Sequence, residues 1–242
     1  MVKFIYNNYI LRAIFSCLLI VVSVFIFAGC NNSNTITKEN LIKALNEVEN
    51  ALTYSEQVSA PAKLSALIPD SDFDVVQSEN DFNELVSVQR MVKMLSLIIQ
   101  NNDLSVTDQV VLDGVLDLGV SGTADVRIKL DVITSKVFEA QFILVEDLSA
   151  TTPVLYQTLF ATVDYDVATE TLNNFIIERY MPTGSQYYYT SFDIENGLRE
   201  LKSTSTSIST LITEHLSKKD VLLAETGEQG YDFTQEYNTA MA

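Results

Sequence analysis

Three aspartates alternate in the segment Pro69-Asp70-Ser71-Asp72-Phe73-Asp74. Calcium takes several oxygen ligands at such spacing, and a count begun at Asp70 puts Ser78 and Asp81 at the ninth and twelfth places of a calcium loop. Two places depart from that loop. Val75 stands where a glycine makes the sharp turn, and Asp81 where a longer, bidentate glutamate closes the site. Asp70, Asp72 and Asp74 are the calcium candidates. The competing reading is a solvated acidic loop, in which Ser78 and Asp81 cap the helix that follows. His215 is the only histidine, so an imidazole base would have to be this residue. Beside Glu214 near the end of an apolar-striped segment, it reads as structural. Asp164 and Asp166 lie two residues apart on one face of an expected strand. Neighbouring acids can raise one another's pKa for acid–base work, but the same pair reads equally as the wet face of a strand near its turn. Gly119-Val120-Ser121-Gly122 lacks the second spacer of a nucleophile elbow, and no phosphate loop or dinucleotide fingerprint is present. No residue is assigned a catalytic role, and nothing calls for a cofactor. Tyr187, Tyr188 and Tyr189, with Tyr180 and Phe192, gather aromatic surface on the last strands. Tyr187 and Tyr189 share a face and are the candidates for a ligand or partner surface, against ordinary packing of sheet tyrosines.

The most specific chemistry lies near the N-terminus. Residues 1–12 carry Lys3 and Arg12 and no acid; residues 13–28 are uncharged and largely apolar; Phe27-Ala28-Gly29-Cys30 follows. A basic n-region, a short apolar core and small residues before a cut site describe a signal peptide. The apolar run is short for a spanning helix, which needs roughly 20 apolar residues. With its cysteine directly after Ala28-Gly29, the segment resembles the lipobox of bacterial lipoproteins, with Phe27 where that family most often has leucine. The resemblance covers residues 1–30. It implies that the Cys30 thiol carries a diacylglyceryl group, that cleavage makes Cys30 the new N-terminus, and that the protein is held by lipid on the extracytoplasmic face of a membrane. Two or three acyl chains give stable anchoring where one is marginal.

Charge narrows the partners. The chain has a net charge of −17. Loss of residues 1–29 removes Lys3 and Arg12 and leaves 32 acids against 13 bases, a charge of −19. A polyanion of this kind repels phosphate backbones, so nucleic acid is excluded as a partner. It also repels anionic headgroups, so the globule stands off the bilayer on its polar tether. Of the two cysteines, Cys17 lies in the leader and Cys30 is the lipid acceptor, which leaves neither a disulfide nor a thiolate metal site.

The elements that must position these residues follow from periodicity. Leu41, Leu45, Val48 and Leu52 mark one face of a surface helix. From about Asp81 to Gln100 the apolar stripe is broad, which predicts a helix buried on most sides. From Gln109 the period becomes two, and Asp125, Arg127, Lys129 and Asp131 make one wet face. A break is expected near Gly119–Gly122; residues 106–117 could be a strand or a short helix. Further strands are expected at about 137–146, 154–167, 172–181 and 186–194. Their connections are too short for anything but antiparallel neighbours. A last helix is expected from about Glu195 to Lys218.

The fold class is therefore α+β: an antiparallel β-meander of five or six strands with two N-terminal helices and one C-terminal helix, the helices on one face. Residues 1–29 form the leader, 30–37 the lipidated cysteine and tether, 38–224 a single domain, and 225–242 a polar, acidic, loose tail. The functional expectation is a membrane-anchored surface lipoprotein of binding or structural type, engaging a protein partner or an extracellular ligand. A carboxylate-dependent extracellular hydrolase and a calcium-binding surface module are the alternatives.

Overall fold

The computed structural model describes residues 36–59, 79–104, 109–182, 186–193, 198–203 and 209–242. The candidates Cys30, Asp70, Asp72 and Asp74 lie outside the described residues, as do the leader and tether up to Thr35. Ile36–Ala242 forms one compact unit.

Helix α1 (Lys38–Ser59) begins where the Thr37 hydroxyl accepts the Asn40 N–H (3.3 Å). Helix α2 (Glu79–Asn101) packs against α1 and, further along, against the C-terminal helix. Its stripe from Leu85 to Ile99 is buried as its breadth predicts: Val88, Met91, Val92, Met94, Leu95 and Ile98 are all inside. Seven strands then run as an antiparallel meander: β1 (Gln109–Asp117), β2 (Thr123–Val132), β3 (Val137–Val145), β4 (Leu155–Asp166), β5 (Thr171–Met181), β6 (Gln186–Asp193) and β7 (Leu198–Ser203). Residues 109–117 are strand, which resolves the alternative left open by the sequence. The expected break is a single 3₁₀ turn at Gly119–Ser121, closed by the Leu118 N–H donating to the Gly122 carbonyl (2.8 Å).

The α+β class holds, with corrections to its details. The sheet has eight strands among the described residues, and β8 (Glu228–Asp232) is parallel to β1. The expected long helix from Glu195 divides into β7 and α3 (Ser209–Ala224). Residues 203–210 are serine or threonine at all but one position, types with low helix propensity, so the apolar spacing across them was a weak signal. The expected loose tail carries β8 and α4 (Thr234–Met241). A polar segment docks here because a few large side chains suffice: Phe233 is 1% exposed, and Tyr231, Tyr237 and Met241 pack half-buried against the main core.

Helices also cover both faces of the sheet. The main core joins α1, α2 and α4 to Leu112, Val126, Ile128, Phe138, Phe142, Leu159 and Phe175 on the first face. A smaller cluster of Ile143, Val145, Phe160 and Leu222 joins α3 to the second. Phe142-Ile143-Leu144-Val145 and Leu159-Phe160-Ala161 are buried on consecutive residues, the mark of strands covered on both sides.

Candidate functional site

Strand β1 carries Asp113 to the second face, and β2 carries Arg127 directly opposite it. The guanidinium binds the carboxylate in two parallel bonds, Nε to Oδ1 (2.6 Å) and Nη2 to Oδ2 (2.7 Å), and Nη1 donates to the Leu222 (3.2 Å) and Leu223 (2.9 Å) carbonyls at the end of α3. Arginine suits this role because its planar fork meets a carboxylate on one side and leaves donors for helix-end carbonyls on the other. Arg127 is thus buried. Its expected place on a wet face was wrong because α3 lies over it. Gln229 of β8 adds a bond to Asp113 Oδ2 (2.6 Å).

Two glycines let the C-terminal segment pack closely on β1, Gly227 at this knot and Gly114 on the first face. A Cβ on Gly227 would collide with the Asp113 carboxylate, and one on Gly114 would sit 2.5 Å from the Phe233 ring. On the opposite side Asn101 donates to Glu236 (2.9 Å), which ties α4 to α2.

Beside the knot, β1, β2, β8 and the loop after β3 enclose an open cleft of about 640 Å³. Asp113, Arg127 and Gln229 form part of its lining. Asp125 holds the loop by accepting the Leu148 N–H (2.8 Å), and Val115, Leu148 and Tyr231 supply apolar wall. Asp232 accepts the Thr234 N–H (3.0 Å), and bonds from Thr234 hold its carboxyl below the usual range. The cleft is therefore acidic, with two of its acids spent on fixing its walls and a third paired to arginine.

A second polar constellation lies between α3 and strands β4–β6. His215 Nε2 bonds to the Thr158 hydroxyl, and both residues are fully buried. The pair has the residue types of a base and a nucleophile. However, among the described residues His215 Nδ1 has no hydrogen-bond partner and no carboxylate bonds to the ring, so the third member that such pairs use is not among them. Burial pushes the imidazole down to about 4; the nearby Glu178 carboxylate opposes that shift and Lys218 adds to it. Beside it the Tyr187 hydroxyl donates to Glu178 Oε1 (2.6 Å), and Lys218 donates to Glu178 Oε2. Burial, followed by the Glu178 bond, raises the Tyr187 phenol well above its ordinary value.

Tyr187 is accordingly 0% exposed and Tyr189 half-buried. They share a face as expected, but α3 covers it, so Tyr187 offers no platform to a ligand. Asp164 and Asp166 do not form an acid–base pair. Asp164 accepts from Asn173 (3.2 Å), while Asp166 binds Lys136 (2.6 Å) and the Ala168 N–H (2.9 Å). Those bonds, Lys136 first, hold the Asp166 carboxyl low, which is the wrong direction for a general acid at neutral pH. His215 packs in the core between α3 and β4–β6. Sequence reasoning missed Asp113, Gln229 and Tyr231 as cleft residues. The available signals were a lone acid and a glycine inside the apolar run of β1.

The fold and this site define an α+β domain with an eight-stranded mixed sheet and an acidic cleft at one end. In comparisons with protein-family profiles, curated proteins and solved structures, nothing matches the chain. No helix among the described residues is long and apolar enough to cross a membrane.

Proposed function

We propose that this chain is a lipid-anchored, extracytoplasmic binding domain, attached through Cys30 and engaging a protein partner or extracellular ligand at the cleft. The observation that carries the binding reading is the position of the cleft. Lys43, in the second turn of α1, pairs with Glu170 in the β4–β5 turn, so the chain enters the domain at that end of the sheet. In an antiparallel meander the β1–β2 and β3–β4 connections lie at the other end, and the cleft is built from residues beside them. The cleft is thus at the end of the sheet opposite the first turns of α1. The Phe27-Ala28-Gly29-Cys30 motif and the charge of −19 after cleavage support surface display without adsorption to anionic lipid. The hydrolase alternative needs a protonated acid in a pocket. Asp232 is held low by its bonds from Thr234, the wrong direction for such an acid, and both Asp113 oxygens are bound by Arg127.

Two measurements test the reading. Cys30→Ser should abolish labelling by a palmitate analogue and leave an unprocessed precursor; continued labelling would remove the anchor. A photo-crosslinker at Val115, which is exposed on the cleft wall, should capture one reproducible partner in intact cells. The same probe at Lys136, in the β2–β3 turn, should not. Equal capture at both positions would remove the cleft as the binding site.

A further inference from the structure

Helix α3 is held to the sheet by few buried side chains: of its residues only His215 and Leu222 are buried. One of the two seats is therefore a titratable ring where most helices place a hydrophobe. The imidazole is 0% exposed, with Phe160 at 4.5 Å, Tyr187 edge-on at 5.5 Å and Tyr180 at 6.0 Å between ring centres. Its Nε2 meets the Thr158 hydroxyl, and its Nδ1 has no hydrogen-bond partner among the described residues. A neutral ring tolerates this seat. An imidazolium has two N–H donors and a full charge, and the seat offers one oxygen. Among the described residues the charged and titratable groups around it are Glu178 and Tyr180 from β5, Tyr187 from β6, and Glu214 and Lys218 from α3; β4 contributes the uncharged Thr158 and Phe160. Glu178 already accepts from Tyr187 and Lys218.

We infer that His215 is an acid-sensitive latch: protonation of its ring unseats the first turns of α3 and uncovers the part of the second face around Phe160 that the imidazole covers. Arg127 keeps the last turn of the helix attached through the Leu222 and Leu223 carbonyls, so the helix opens from its first turns. The inference does not depend on the lipid anchor. Its direction follows from linkage. The ring titrates near 6.5 when freed and about 4 when seated, so the seat is intact above the ordinary imidazole range and is lost as pH falls toward 4. The opening equilibrium should rise roughly 30-fold between pH 7.5 and 5.

Amide exchange on the full-length, untagged chain in detergent, corrected for the intrinsic effect of pH, reads this directly. Residues 209–219 should lose protection by about that factor on acidification, while α2 keeps its protection. His215→Phe should hold α3 closed at both pH values. Equal responses of α3 and α2 would overturn the latch, and so would a pH response that survives in His215→Phe. Because His215 is the only histidine, its ring resonance can be followed without assignment in the wild type. This keeps the test decisive if the variant does not fold. Titration near 6.5 with α3 still protected would also overturn the inference.

Discussion

The two faces of the sheet are sealed by different chemistry. On the first, α1, α2 and α4 meet a continuous apolar surface, and the conspicuous exception is an ion pair at its margin. There Arg179 binds Glu84 and donates to Gln157 (3.0 Å), and burial lowers its guanidinium to about 10. On the second, a four-residue apolar cluster is surrounded by Arg127–Asp113, Lys129–Glu225, Lys218–Glu178 and Thr158–His215. Apolar burial is non-directional and stabilises in proportion to area. Buried ion pairs roughly break even against their desolvation, yet they are costly to break and demand one geometry. The first face therefore carries the stability of the domain, and the second fixes where α3 and the C-terminal segment sit.

That comparison can be broken. Phe142→Ala on the first face should cost about 3–5 kcal/mol by urea denaturation and lower the single unfolding transition of the whole domain. A loss confined to one element would mean the first face is not the common core. Gly227→Ala should displace Asp113 from Arg127 and cost a smaller amount, roughly 1–3 kcal/mol, with loss of amide protection concentrated in residues 225–242. Undisturbed protection there would show that the C-terminal segment does not depend on the knot. Lys136→Ala removes an exposed pair with Asp166 and should leave the melting midpoint where it was; a clear drop would mean the β2–β3 turn matters more than its exposure suggests.

The periodicities that were legible in the sequence belong to the first face. Leu41, Leu45 and Val48, the broad stripe of α2, and the even positions of β1 and β2 each announce burial because a single apolar partner surface is enough to explain them. The second face was misread for the opposite reason. Arg127 beside Asp125 and Lys129 looks solvated until the end of α3 is placed over it, whereas Tyr187 is packed, the ordinary reading of a sheet tyrosine, against His215 of α3. A polar residue is buried or exposed according to its partner, and Asp113 and Arg127 are 14 positions apart with the Leu222 carbonyl 95 further on.

The sequence alone determined the composition of the N-terminal motif with its Cys30, the acid excess, the α+β class and the short connections that force an antiparallel meander. These follow from local spacing and summed charge, which do not require knowing what lies across the core. Tertiary structure alone decided that residues 225–242 return as β8 and α4, that β8 pairs parallel to β1, and that His215 closes a seat and Asp113 lines a cleft. Each of those outcomes is a contact between segments far apart in the chain. The physical reason is the cost of burying a polar group, which is met only when a distant partner arrives with the matching donor or acceptor.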